Sequence, residues 1–347
     1  MTSRLIRIAR LIKDNGLDAY LVTQDANIRY LTGFPAEESW LFVTVRGNFY
    51  LTDARYSLSA RQGLKKVKVV ELTKSLFDSF AQTARSARTK RIGFDERHLS
   101  VSHFKSLRKA CPRGTRLIPC NNMVEDLREI KTPEEVRRIR ACLKLNLEAY
   151  THLSRVIRPG LTEREVLLSL EKFVKARKAG FSFDPIIAAG PNSCYPHAKV
   201  TDRKIRENEP VLVDMGIDIG GYKSDLTRMF FLGKIPPHVR RVTEIVRQAQ
   251  SIAAQRIKPG VKAAEIDRAA REFLKSHNLA RYFGHSLGHG VGLQIHERPW
   301  ISQKGPAVLK EGMVFTLEPA VYIPNKFGIR IEDMVVVTKN GYKILSQ

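Results

Sequence analysis

Three histidines crowd the stretch "GHSLGHGVGLQIHE", Gly284 to Glu297: His285, His289 and His296. An imidazole can ligate a metal, move a proton or hydrogen-bond a substrate. His285 and His289 are four apart, the interval that puts two imidazoles on one helix face in zinc proteases of the H-E-x-x-H type. The glycines at 284, 288, 290 and 292 oppose that helix, since each would cost about 1 kcal/mol in its interior. From Gly290 onward Val291, Leu293 and Ile295 alternate with small or polar residues, which predicts a strand. The three rings are then not a helical ligand set. At most one or two ligate, and the remaining ligands come from elsewhere.

Two hairpin-like segments supply candidates. In "PVLVDMGIDIGGYKSDLTRMFFLG" (210–233) a turn near Gly220-Gly221 places Asp214 opposite Asp225, each among apolar strand formers. In "MVFTLEPAVYIPNKFGIRIEDMVVV" (313–337) a turn at Pro324-Asn325-Lys326 places Glu318 opposite Glu332. Paired carboxylates in apolar strands lose hydration and repel, so they require a cation or a proton. Four carboxylates and one imidazole suit two hard divalent ions sharing bridging carboxylates.

These segments need elements to hold them. "MTSRLIRIARLIKDNG" predicts an amphipathic helix over 2–15, and a transit peptide is the alternative for so basic a start. It runs directly into a strand-like "AYLVT", which favours a folded helix. "WLFVTVRGNFYLTDARY" reads as two strands around Gly47-Asn48. In "IKTPEEVRRIRACLKLNLEAY", Thr132 is an N-cap, Pro133 the first helical residue and Glu135 the capping-box carboxylate. The domain boundary is placed just before this helix, giving an α/β domain over 1–125 and an α+β domain over 126–347. Within the second, "RPGLTEREVLLSLEKF" and "KPGVKAAEIDRAAREF" share a P-G turn followed by an amphipathic helix, which suggests two related halves.

The 347 residues carry 59 Lys+Arg against 35 Asp+Glu, a formal charge of +24. Residues 1–130 hold 23 against 13 and residues 131–347 hold 36 against 22, so the excess is spread rather than gathered in a tail. No nucleic-acid motif accompanies it, and a basic solvated surface is the simpler reading than a polyanion site. With 43% hydrophobic and 27% charged residues the composition is that of a soluble globular protein. No apolar run reaches the ~20 residues of a membrane helix. Cys111, Cys120, Cys142 and Cys194 are scattered, which suits free thiols in a cytoplasmic protein.

Taken together, "HSLGHGVGLQIHE", "VDMG…SDLTR", "LEPAVY", "RIEDMVVV" and the upstream "GPNSCYPHAKVTDRKI" resemble the metal-dependent Xaa-Pro peptidases of family M24, the prolidases and aminopeptidase P. "IRYLTGF" and "LTDARY" resemble their creatinase-type amino-terminal domain. The resemblance implies a pita-bread catalytic domain, as in methionine aminopeptidase, preceded by a smaller creatinase-type domain. It implies two divalent ions (Mn, with Co, Zn or Fe as alternatives), held by Asp214, Asp225, His289, Glu318 and Glu332. His197, His285 and His296 match substrate-facing histidines, with His197, His296 and Glu318 catalytic. Arg330 and Lys304 are the cations expected to meet a substrate carboxylate. Where some relatives carry a further arginine this chain has Trp300, and where many have glycine it has Ala320. The implied activity is Xaa-Pro dipeptidase, with aminopeptidase P as the alternative. Proline-containing peptides are the substrates, the assembly is a homodimer, and membrane or nucleic-acid partners are not expected. Loss of the carboxylates would instead have marked a creatinase-like hydrolase or a non-catalytic binding protein.

Overall fold

Strand-forming runs in the amino-terminal third have apolar neighbours on both faces, so they read as a covered sheet. The structure, a computed structural model, describes residues 3–346. The first helix spans Ser3–Asp14; position 2 of the predicted 2–15 helix lies outside the described residues. The chain divides into two compact units, Met1–Arg128 and Glu129–Gln347.

The first unit is a six-stranded mixed sheet. Its spatial order is Lys68–Glu71, Asn48–Thr52, Trp40–Thr44, Ala19–Val22, Arg91–Asp95, Arg116–Cys120. Trp40–Thr44 and Asn48–Thr52 form the hairpin predicted around Gly47-Asn48. Trp40, Phe42, Phe80 and Phe94 are buried in one cluster, and edge-to-face contacts such as Phe42–Phe80 (5.0 Å, 74°) fill it.

The second unit opens with the helix Pro133–Val156. Its start has the anticipated chemistry: Thr132 Oγ1 accepts from Glu135 N at 3.3 Å, and Thr132 N donates to Glu135 Oε2 at 2.9 Å. The helices Glu163–Lys175, Pro237–Ala254 and Ala263–Ser276 follow. The two P-G segments repeat in space. Gly160 and Gly260 take φ of 94° and 88°, and their N–H groups donate to Ile205 O and Leu309 O, both at 2.9 Å. Each turn then enters a helix.

Three strands, Leu226–Phe231, Pro210–Met215 and Ile186–Ala189, form one antiparallel sheet. A five-stranded sheet is ordered Glu297–Ile301, Gly288–Gly290, Val314–Leu317, Asp333–Thr338, Gly341–Ile344. Ala320–Ile323 pairs separately with Phe327–Arg330. The apolar faces of helices 237–254 and 263–276 cover the five-stranded sheet through Val246, Ile266, Leu274, Phe315 and Val335.

The structure corrects two local readings. The strand predicted beyond Gly290 stops there: residues 291–296 are irregular, and the next strand begins at Glu297. A bulge between His289 and Gly290 breaks the register. The alternating residues are buried by packing rather than by a ladder. In the 210–231 hairpin, Asp214 lies opposite Thr227, not Asp225. Gly220 and Gly221 both take positive φ, 60° and 85°, as a two-residue type I′ turn demands. The hairpin therefore pivots between them. The shift is an even number of residues, so both aspartates keep the same face.

Thr132→Ala removes the cap of the longest helix and should cost about 1 kcal/mol. A thermal melt of the metal-loaded variant should show the loss with kcat unchanged; an unshifted Tm would mean that packing alone holds this helix end.

Candidate metal centre

Glycine explains how His289 comes to face carboxylates. A Cβ on Gly288 would lie 1.9 Å from Thr316 O, and one on Gly290 would lie 2.2 Å from Arg298 O. Only bare backbone lets this strand sit between its neighbours, which puts the His289 ring inside. Thr316 fixes it further, its Oγ1 accepting from His289 N at 3.1 Å and donating to Glu318 Oε1 at 3.3 Å.

His289 Nδ1 lies 3.2 Å from Gly290 O. A carbonyl can only accept, so Nδ1 carries the proton and Nε2 presents its lone pair. That lone pair faces Asp225 Oδ2 at 3.5 Å and Glu318 Oε1 at 3.4 Å. Asp225, His289 and Glu332 each offer one donor atom within 4.8 Å of the others, and all three are buried. Glu332 Oε2 accepts from Thr227 Oγ1 at 2.7 Å. Asp214 is buried alongside, with one oxygen accepting from Arg330 Nη2.

The ladders show why the glutamates are available. Leu317 pairs with Asp333 and Ala320 with Arg330, so Glu318 and Glu332 face each other as the sequence predicts. They sit where one sheet ends and the next hairpin begins.

This arrangement is short of positive charge. Burial, then the charges of Glu332, Asp214 and Glu318, hold the Asp225 carboxyl well above its ordinary range. Glu332 is raised by burial and then by Glu318 and Asp214. Burial pushes Glu318 up to about 8, opposed by Arg330. His289 is pushed down to about 3 by burial and then by His296. Asp225 Oδ1 and Asp214 Oδ1 are buried without a hydrogen-bond partner. Orphaned carboxylate oxygens, mutual repulsion and an imidazole lone pair aimed among them are the donor set of a divalent cation site.

Around this cluster stand the other histidines. The His289 and His296 rings are 4.3 Å apart at 81°. Trp300 lies beside both rings, 6.3 Å from His289 and 6.4 Å from His296. His285 Nε2 lies 3.2 Å from Tyr322 Oη, its Nδ1 2.8 Å from Ser286 O and 3.8 Å from Glu318 Oε2. His197 lies in an exposed turn, near enough for its charge to act on both His285 and His296.

The two expected carboxylate-binding cations differ in placement. Arg330 is only 3% exposed. Four of its five N–H groups are engaged: Nε with Thr227 Oγ1 (3.0 Å), Nη1 with Pro196 O (3.1 Å) and Tyr322 Oη (2.5 Å), Nη2 with Asp214. Its present work is to hold Asp214. Lys304 sits in an exposed turn after the Glu297–Ile301 strand, and the structure does not bring it to the carboxylates.

Sequence reasoning missed the supporting groups. Asp267 accepts from Leu287 N (3.0 Å) and pairs with Arg271 (2.7 Å), which also donates to Phe283 O and His285 O. Lys131 and Glu297 form a buried ion pair at 2.9 Å beside His296. The signal available was a charged residue at an apolar helix or strand position, which alone does not say what it holds.

Residues 137–339 match the description "Metallopeptidase family M24", and residues 4–130 match "Creatinase/Prolidase N-terminal domain". The chain is 35% identical to an Xaa-Pro dipeptidase of Pyrococcus furiosus, covering 100% of this chain and 98% of the relative. It is 33% identical to an uncharacterized peptidase of Bacillus subtilis, covering 99% and 97%. Among solved structures it is similar to an Xaa-Pro dipeptidase from Bacillus anthracis (TM-score 0.94, 31% identity, 99% and 97% covered). It is also similar to an X-Pro aminopeptidase from Thermotoga maritima (TM-score 0.90, 33% identity, 98% and 97% covered).

The raised carboxyls give a pH signature. A carboxyl with a higher pKa folded than unfolded holds its proton in the native state after the unfolded chain has lost it, so stability falls with rising pH between the two values. For Glu318 that window runs from 4.5 to about 8. An unfolded histidine is half protonated near pH 6.5 and nearly neutral by about pH 7.5, so the lowered His289 opposes the decline only weakly and only in the first part of the window. Metal-free protein should therefore lose Tm from about pH 6.5 to 8, Glu318→Gln should flatten the decline, and a divalent cation should abolish it. A Tm that rises over that interval in chelated protein would contradict the charge balance described.

Proposed function

The chain belongs to metallopeptidase family M24, and on that premise we propose that it hydrolyses the Xaa-Pro bond at the amino terminus of short peptides, as an Xaa-Pro dipeptidase. The observation that carries this is the buried convergence of Asp225, His289 and Glu332 beneath three further histidines. Asp214, Asp225, His289, Glu318 and Glu332 would hold two divalent ions. Manganese is the proposed metal, with cobalt, zinc or iron as alternatives. Catalysis is assigned to the domain 126–347, and the enzyme is proposed to be a cytoplasmic homodimer.

A bound ion pair would supply a water ionisable near neutral pH and a Lewis acid for the scissile carbonyl. The chain's own residues do the rest. Glu318, already 3.4 Å from the His289 lone pair, takes the proton released by the attacking water and returns it to the proline nitrogen. His296 hydrogen-bonds the developing oxyanion, and His197 and His285 orient the peptide. Thr316 and Thr227 keep the two glutamates aimed while charge moves.

One observation favours longer substrates. Trp300 is 42% exposed and flanks both rings, paired across the ladder with His289 and stacked on His296. An aromatic there offers a wall for residues beyond proline, as an aminopeptidase needs. Comparing Gly-Pro and Met-Pro with Xaa-Pro-Xaa tripeptides, with and without added manganese, separates the two readings.

Chelation should abolish turnover and manganese or cobalt restore it. His289→Ala and Asp225→Ala should lose bound metal and activity together, whereas His296→Ala keeps metal and loses rate. Metal counting decides this, and full turnover by a metal-free sample would refute the proposal.

For a dipeptidase, Lys304 should face the substrate carboxylate. A charge-assisted contact contributes about 1.5–3 kcal/mol, so Lys304→Ala should lower kcat/KM on dipeptides roughly 10- to 150-fold and on tripeptides far less. Equal effects on both would make Lys304 a solvated loop charge.

A further inference from the structure

Glu163 is the first residue of helix Glu163–Lys175, just past the Thr162 cap, and its side chain is fully buried. Among the described residues it has no ion-pair partner, and its carboxylate is surrounded by hydrogen-bond donors. Oε1 accepts from Ala189 N (2.8 Å) and Asn192 Nδ2 (3.0 Å). Oε2 accepts from Asn192 Nδ2 (2.8 Å), Thr201 N (2.9 Å) and Thr201 Oγ1 (2.7 Å). All three partners lie on the loop 189–201, two before His197 and one after it. Asn192 Nδ2 also donates to Lys199 O at 3.1 Å, tying the two arms to each other.

The far side of the loop is fastened to the candidate centre. Gly328 N donates to Ser193 Oγ at 2.8 Å, and Arg330 Nη1 donates to Pro196 O at 3.1 Å. Arg330 in turn holds Asp214. His197, an exposed residue between the two arms, is therefore set by two anchors: the helix start through Glu163, and the 320–330 hairpin through Ser193 and Pro196. A fully buried carboxylate is expensive to place, and charge-assisted hydrogen bonds to it are among the stronger neutral-partner contacts. An apolar residue at this helix start could fill space but could not grip both arms.

We propose that Glu163 is a positioning residue for His197: by clamping both arms of loop 189–201 it fixes the imidazole over the scissile bond. The kinetic part rests on the substrate role proposed for His197; the placement of the ring does not. Misplacing a catalytic group by about 1 Å can cost on the order of 100-fold, so Glu163→Gln, which turns an NH2 toward existing donors, should lower kcat/KM roughly 10- to 100-fold with metal content unchanged. In a His197→Ala background the same substitution should cost less than about 2-fold, because residues acting through one another are not additive. Thr201→Val, which deletes one donor and preserves shape, should act in the same direction more weakly and guards against a Glu163 variant that fails to fold.

The second measurement needs no turnover. In the metal-loaded protein the imidazole resonances of His197, assigned by their loss in His197→Ala, should shift and broaden in Glu163→Gln and Thr201→Val, while those of His285 stay in place. Unmoved His197 resonances, or a rate loss as large in the His197→Ala background as in the wild type, would overturn the proposal. Moved resonances together with a His197→Ala variant of normal rate would leave the clamp standing and remove the substrate role of His197 instead.

Discussion

Everything in the carboxy-terminal unit answers to one electrostatic problem. Asp214, Asp225 and Glu332 are buried together beside a partly buried Glu318, and Arg330 is the cation bonded to this cluster among the described residues. One guanidinium cannot neutralise four carboxylates. Without further positive charge the cluster holds protons, which is what the raised Asp225, Glu318 and Glu332 carboxyls express. A divalent cation would replace those protons with a stronger charge and could satisfy the two orphaned aspartate oxygens.

The fold tolerates the cluster because Asp225, Glu318 and Glu332 sit where a ladder is interrupted or ends, while Asp214, within a paired strand, is held by Arg330. Glu318 and Glu332 lie in the gap between the 314–317/333–338 ladder and the 320–323/327–330 hairpin, with Pro319 beside them lacking an N–H to pair. Their backbones are still satisfied, Glu318 N by Leu287 O and Glu332 N by Thr227 O. Asp225 sits just before its strand, its N–H against Met334 Sδ. Tyr150 closes the other hairpin, its hydroxyl bonding Val213 O and Leu226 O. Side chains thus do locally what backbone ladders do elsewhere, and the repelling groups cannot relax apart.

How much of this was legible follows from what each residue type can mean. Carboxylates in apolar strands and histidines among glycines are chemically conspicuous, so the residues now found clustered could be named from the chain alone. The capping box at Thr132 and the Pro324–Lys326 turn were legible because their chemistry is local. The 210–231 register was not: whether a hairpin pivots on or beside a pair of glycines depends on their φ, which a Gly-Gly pair leaves open. The strand expected after Gly290 failed because apolar residues at alternate positions do not themselves require a ladder: Val291, Gly292 and Leu293 are all buried by packing in an irregular segment. Glu163, Asp267 and Lys131 were invisible for a further reason. A charged residue on a helix or in a connecting segment ordinarily faces water, and only the tertiary structure shows these three facing inward.

That inward-facing set also bears on which peptides fit. A dipeptide must find a cation for its carboxylate, and the basic residues nearest the entrance are mostly committed. Arg330 spends four donors inside the protein. Arg298 reaches Glu129 at 3.6 Å, and Lys131 is buried against Glu297. Each therefore stiffens the wall beneath His296 instead of lining the opening. The segment after Trp300, where Lys304 is exposed, is the proposed source of charge for a substrate carboxylate. On the proposed reading, the buried part of the site selects the bond to be cut, while this exposed segment sets how far the peptide extends beyond it. A division of that kind lets one catalytic frame serve both dipeptidases and aminopeptidases, which is the pairing found among the solved structures this chain resembles.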